Sequence, residues 1–97
     1  MPKPTAIIEH LREINEGDPF IVMEPRKLYN PAIIGYSETG DGAYCLCYSV
    51  KKYIAILRKD LKTNRAGAYE WFAYNTLRAL PYAKSSGTPP IFVYDDN

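Results

Sequence analysis

Between Ala43 and Leu61 the chain reads AYCLCYSVKKYIAILRKDL, a strand pattern that passes into a helix pattern with no linker. This junction constrains the fold most, because it commits strand and helix to one packing unit. In Ala43 to Tyr48 the β-prone Tyr44 and Tyr48 alternate with the small Ala43, Cys45 and Cys47, so one strand face is aromatic and the other compact. Ser49 stands where its hydroxyl can accept from the first free amides of a helix. Val50, Tyr53, Ile54, Leu57 and Leu61 then recur at helical spacing, with Lys51, Lys52, Arg58, Lys59 and Lys62 mostly between them. The result is an amphipathic helix with a basic outer side, whose apolar residues read as core along with the compact cysteine face of the strand.

A length of 97 residues suits a single domain spanning 1–97, with the ends 1–4 and 95–97 frayed. The apolar and charged fractions, 46% and 24%, are those of a globular chain rather than a disordered one. No segment approaches the roughly 18 to 20 apolar residues of a membrane span, and no charged-then-apolar leader opens the sequence, so the expected location is the cytoplasm, with no membrane partner. Cys45 and Cys47 are two apart in a strand, which separates their α-carbons by about 6.5 Å and argues against a disulfide between them. The single His10 lies in another element, so neither a metal site nor a cofactor is expected.

Along the chain, Thr5 is placed to cap a first helix over Thr5 to Glu16, with Ile7, Ile8, Leu11 and Ile14 on its apolar side and Gly17 ending it. Phe20 to Met23 reads as a short edge strand, and PRKLYNP at Pro25 to Pro31 as a loop with Arg26, Lys27 and Tyr29 facing solvent. Ala32 to Tyr36 pairs antiparallel with Ala43 to Tyr48 across SETGDG. Thr63 or Asn64 caps a third helix bearing Ala68, Trp71, Phe72 and Asn75 on one face, and Asn75 is expected to bond the turn at Thr76 to Leu80. Pro81 ends helical structure, Ser85 to Pro90 is a loop, and Ile91 to Tyr94 is the closing strand. The fold class is therefore α+β: a small, mainly antiparallel sheet of three or four strands with three helices packed on it.

The segments AIIGY (Ala32 to Tyr36), YCLCYSVKKYIAIL (Tyr44 to Leu57), AYEWFAYNT (Ala68 to Thr76) and TPPIFVYDD (Thr88 to Asp96) resemble a pattern of short, uncharacterised bacteriophage and prophage proteins. These share an "IIG" strand, a "YD or YS" cap with a "KMIEIL-like" helix, an "A-EYFEFN" helix and a "TP-I" closing strand. The resemblance covers the chain from Ala32 onward; LRALPYAKSS at Leu77 to Ser86 departs from it, standing where those proteins often carry a glycine-rich link. It implies an accessory phage protein that binds and modulates or inhibits a host or defence-system protein, in the host cytoplasm. It carries no catalytic signature.

The residues themselves compose no phosphate loop, paired-cysteine metal motif or nucleophile elbow, and a non-enzyme is expected. The terminal Asp95 and Asp96 read as a solvated end. Net charge is +1, but the first quarter is acidic and Pro25 to Arg65 is basic. The unusual quantity is tyrosine, nine in all. Tyr36, Tyr44, Tyr48, Tyr94 and Phe92 can share a sheet face, with three competing uses. They can be covered by the first helix as core. They can form a homodimer or host-protein interface. Or they can stack the bases of single-stranded nucleic acid, with Lys51, Lys52, Arg58 and Lys59 steering its backbone. The candidate binding residues are thus Tyr36, Tyr44, Tyr48, Lys51, Lys52, Arg58 and Lys59, for a protein partner first and nucleic acid second.

Overall fold

A computed structural model describes residues 3–40 and 42–95. In chain order the elements are α1 (Pro4–Ile14), α2 (Arg26–Tyr29), β1 (Ile33–Glu38), β2 (Tyr44–Ser49), α3 (Val50–Leu61), α4 (Arg65–Phe72) and β3 (Ile91–Val93). Tighter or wider helical turns lie at Asn30–Ala32, Ala73–Leu77 and Leu80–Ser86. The class is α+β. β2 is central in the three-stranded sheet, antiparallel to β1 and parallel to β3.

Pro4, at the first helical positions, starts α1, since its fixed φ suits that place and its missing N–H is not needed there. Lys3 is the cap residue and has no side-chain cap bond, so Thr5 is inside the helix rather than its cap. The helix stops at Asn15, after which Glu16 (φ 51°) and Gly17 (φ 92°) turn left-handed. The buried Asn15 side chain then pairs with the backbone of Tyr44, donating Nδ2–H to its carbonyl and accepting its N–H at Oδ1, both at 3.1 Å. This amide reproduces the two bonds of a strand partner and fastens the end of α1 to the start of β2.

Phe20 to Met23 is not a strand. One parallel bridge joins Phe20 to Thr88, with Ile21 N–H donating to the Thr88 carbonyl at 2.9 Å. The N–H of Met23 goes instead to the Tyr48 hydroxyl at 2.9 Å, a side-chain acceptor that removes the need for a ladder. The PRKLYNP segment is helical rather than an open loop: Pro25 precedes α2 and Pro31 opens the next turn. The property that keeps proline out of a sheet suits it to a first helical turn. Tyr29, expected in solvent, is buried and stacks on Tyr53 with ring centroids 4.4 Å apart.

The pairing of β1 with β2 sets Tyr36 against Leu46, Ser37 against Cys45 and Glu38 against Tyr44, after an irregularity between Ile33 and Gly35. β3 adds Ile91 beside Cys47 and Phe92 beside Tyr48. One sheet face therefore carries Tyr44, Leu46, Tyr48 and Phe92; the other carries Gly35, Ser37, Cys45, Cys47, Ile91 and Val93. Leu46, Tyr48 and Ile33 belong to the core cluster with Ile7, Ile8 and Leu11 of α1, Tyr53, Ile54 and Leu57 of α3, and Phe72 of α4. The helices thus cover the tyrosine face, whereas the sequence places the cysteine face in the core. The larger side chains win the inside because stabilisation follows apolar area removed from water, about 25 cal/mol per Å², and each aromatic brings roughly 150–250 Å². Cys45 is buried without joining the core cluster.

Ser49 caps α3, accepting the Lys52 N–H at 3.1 Å, as its position in the sequence predicts. Its own hydroxyl donates to Asp95 Oδ2 at 2.5 Å, and Asp95 Oδ1 accepts the Lys51 N–H at 3.2 Å. Asp95, expected to be frayed, is therefore a second cap on α3; the other residues of that expectation, Met1, Pro2, Asp96 and Asn97, lie outside the described residues, apart from Lys3 and Pro4 at the start of α1. Asn64 caps α4 through the Gly67 N–H at 2.8 Å. Asn75 is exposed and donates back to the Trp71 carbonyl at 3.0 Å rather than to the turn that follows. Pro81 sits inside the helical turn Leu80–Ser86 instead of ending helical structure. Gly87, at φ 136°, lets the return segment pass Pro19, whose backbone would lie 2.9 Å from an added Cβ.

Candidate binding surface

Two parts of the sequence-predicted site separate in space. Of the sheet tyrosines, Tyr48 has no exposed surface, Tyr44 is half-buried and Tyr36 is 43% exposed. Tyr48 touches Phe92 at 5.4 Å and Tyr53 at 6.0 Å between centroids. Burial pushes its phenol up to about 12, with the Met23 N–H opposing that shift. Tyr53 is raised further by burial, against the Thr76 side chain that hydrogen-bonds it. These rings are core, so Tyr48 is corrected from a surface residue to a packing residue.

Tyr36 and Tyr44 meet edge to face at 6.0 Å, and the Tyr36 hydroxyl lies 3.2 Å from His10 Nε2 on α1. Tyr44 is raised first by the negative charge of Glu38, its partner in the register. This corner is a side wall of the α1–sheet contact rather than an open aromatic platform. Of the five aromatics expected to share a face, Tyr48 is buried and Tyr44 and Phe92 are partly covered, while Tyr36 and Tyr94 stay exposed at 43% and 60%.

The basic part holds together. Lys51, Lys52, Arg58 and Lys59 are all exposed on α3, while Val50, Tyr53, Ile54 and Leu57 fill its inner side. A seven-residue spacing brings side chains back to almost the same face about 10.5 Å further along, so these cations form two parallel rows. Lys52 and Lys59 make the outermost row. Lys51 and Arg58 make a second row turned toward α4. Lys52, Arg58 and Lys59 have no ion pair among the described residues.

The second row lines a groove between α3 and α4, a cavity of about 180 Å³ whose other walls are Ile54, Ala55, Arg65 and Tyr69. Arg65 and Tyr69 are one helical turn apart on α4, with the Arg65 guanidinium carbon 5.5 Å from the Tyr69 ring centroid. Sequence reasoning missed both residues, although their four-residue spacing on a predicted helix was a usable signal.

The residues capable of nucleophilic chemistry do not converge. Burial raises the Cys45 and Cys47 thiols, opposite to the shift that activates a nucleophile. Both lie on the sheet face opposite the one that carries Tyr36, the neighbour of His10. No group of three or more His, Cys, Asp or Glu side chains able to hold a metal occurs among the described residues. Nor is any helix there long and apolar enough to cross a membrane. Comparison with protein-family models, with curated proteins and with solved structures gives no match to this chain.

Proposed function

We propose that this is a non-catalytic accessory protein of phage type that binds, and so modulates or inhibits, a host or defence-system protein. The contact surface is the outer side of α3, and the partner presents an acidic patch. The observation that carries this reading is the exposed Lys52–Lys59 row, held on a helix capped twice at its start by Ser49 and Asp95. A rigid row of like charges selects a partner by complementarity and speeds encounter. The separation of His10 from the cysteines supports a binding role over a catalytic one.

Stacking of single-stranded nucleic acid on the sheet tyrosines has lost its support, because Tyr48 is inside and Tyr44 is half-covered. The test of the preferred reading is capture of a partner from bacterial lysate, followed by titration with that partner purified. Lys52→Glu together with Lys59→Glu should weaken binding at least tenfold, and the wild-type affinity should fall as salt rises. Equal binding by the doubly reversed variant would sink the α3 surface as the contact.

A further inference from the structure

We infer that Tyr74, Arg78 and Tyr82 form a docking site for a proline-rich segment of a partner protein that also carries a carboxylate. The three residues line one shallow depression of about 450 Å³, with Ala79 and Pro81 as its other walls and no acidic side chain in its lining. Tyr82 is 88% exposed and Tyr74 62%, the two largest values among the large apolar side chains of the described residues. Rings left in water together, beside an arginine and without lysine or carboxylate in the lining, have the composition of the core of a protein interface. The site shares no residue with the α3 surface and goes beyond the contact proposed above.

The scaffold holds these groups outward. Phe72 and Thr76 of the same stretch are buried and Leu77 packs against the core, so its inner side is fixed. The wide turn Ala73–Leu77 closes with the Arg78 N–H donating to the Ala73 carbonyl at 3.2 Å, and the Tyr82 N–H donates to the Ala79 carbonyl at 3.1 Å. The Arg78 guanidinium carbon then lies 5.3 Å from the Tyr74 ring centroid, which limits its swing. Charge and hydrogen bonding select the occupant. Arg78 has no ion pair among the described residues, and the sequence from Trp71 to Tyr94 contains no aspartate or glutamate. Its planar fork is therefore open to a carboxylate from outside. Neither tyrosine hydroxyl has a hydrogen-bond partner among the described residues, so both can donate. A polyproline II segment is the matching ligand: its carbonyls face water, its prolines have no N–H to satisfy, and its rings pack on aromatic walls with little conformational entropy left to lose. One cation favours such a peptide over a nucleic-acid strand, whose affinity rests on several phosphate contacts.

The experiment is titration of the purified protein with blocked decaproline and with the same peptide carrying glutamate at two interior positions, followed by amide chemical shifts. Both peptides should shift the amides of Tyr74, Arg78, Ala79 and Tyr82 more than those of α1 or α3, and the glutamate form should bind at least threefold more tightly. Tyr82→Ala, and separately Tyr74→Ala, should weaken both peptides at least tenfold. Arg78→Gln should abolish the preference for glutamate, whereas Lys27→Gln, which removes the same charge elsewhere on the surface, should leave it within twofold. An absence of shifts at these residues with either peptide overturns the site. So does equal binding of a glycine–serine peptide with the same two glutamates, which would show that charge alone is read, or equal loss of preference in Arg78→Gln and Lys27→Gln. A labelled oligothymidylate held here ten times more tightly than either peptide would reassign the surface to nucleic acid. All four substituted residues are exposed, and an unchanged circular dichroism spectrum confirms that each variant is folded.

Discussion

The two faces of the sheet are built from alternate residues of the same strands, yet they do different work. The inner face sets Tyr44, Leu46, Tyr48 and Phe92 under α1, α3 and α4; the outer face sets Gly35, Ser37, Cys45, Cys47, Ile91 and Val93 away from every helix in the core cluster. Alternation in a strand tells which residues share a side. It does not tell which side the helices choose. That choice goes to the face with more area to bury, and here it turns the tyrosines from a binding platform into the body of the core.

The contrast is sharpest in a matched pair of truncations. Leu46→Ala, at a site with no exposure, should cost about 2–5 kcal/mol by chemical denaturation, whereas Cys47→Ala on the outer face should cost less than about 1 kcal/mol. Similar losses at the two positions would mean that the outer face is packed as tightly as the inner one.

Tyr48→Phe probes the inner face by its polar atom alone. It keeps the ring and removes the acceptor for the Met23 N–H, leaving a part-buried donor unpaired, for a loss of roughly 1–3 kcal/mol. The same hydroxyl makes stability depend on alkaline pH. Its folded pKa, about 12, is above the ordinary tyrosine value of 10.0, so the neutral phenol is the form the fold prefers. That contribution is complete below pH 10 and is lost as pH rises through 12. Denaturation midpoints should fall over this interval in the wild type and fall less in Tyr48→Phe. Parallel curves would assign the alkaline loss to other groups.

The smaller effects concern the seam where the strand becomes a helix. Ser49→Ala removes the cap on Lys52 N–H and the hydroxyl that holds Asp95, and should lower stability by about 1 kcal/mol. Asp95 is held below the ordinary carboxylate value, first by the Ser49 hydroxyl and also by the Lys51 N–H. Its contribution is present above the unfolded value of 3.8 and is lost as pH falls through the lower folded value, so Ser49→Ala should flatten the acid limb of the stability curve. Lys59→Ala, on the far side of α3, should change stability by no more than about 0.5 kcal/mol, and a larger change would show that the basic row has a structural duty.

The strand-to-helix junction was legible because each of its signals is local: alternation, a serine cap and a helical repeat lie within one stretch, and the structure has β2, the Ser49 cap and α3 where those signals put them. The hairpin of β1 with β2 was legible for the same reason. The misreadings are non-local. Met23 leaves the ladder because Tyr48 supplies an acceptor from across the core, and Tyr29 goes inside because Tyr53 offers a ring to stack on. Asp95 looked like a loose end because its partners, Ser49 and Lys51, are more than forty positions away. Within the candidate site, the cations of α3 could be read from the helical repeat. The groove could not, since it exists only where α4 lays Arg65 and Tyr69 alongside them.

The parallel placement of β3 also sets a timetable for synthesis. β1 and β2 can close on each other as soon as both have left the ribosome, but the other edge of β2 must wait for β3, and the Ser49 hydroxyl for an aspartate 46 residues downstream. At translation rates of roughly 5–20 residues per second that wait lasts about 2–9 s, long compared with the microseconds in which a hairpin forms. During it the nascent chain presents a strand edge with unpaired donors and acceptors, and the arrival of Ile91, Phe92 and Val93 is what closes that edge to foreign strands.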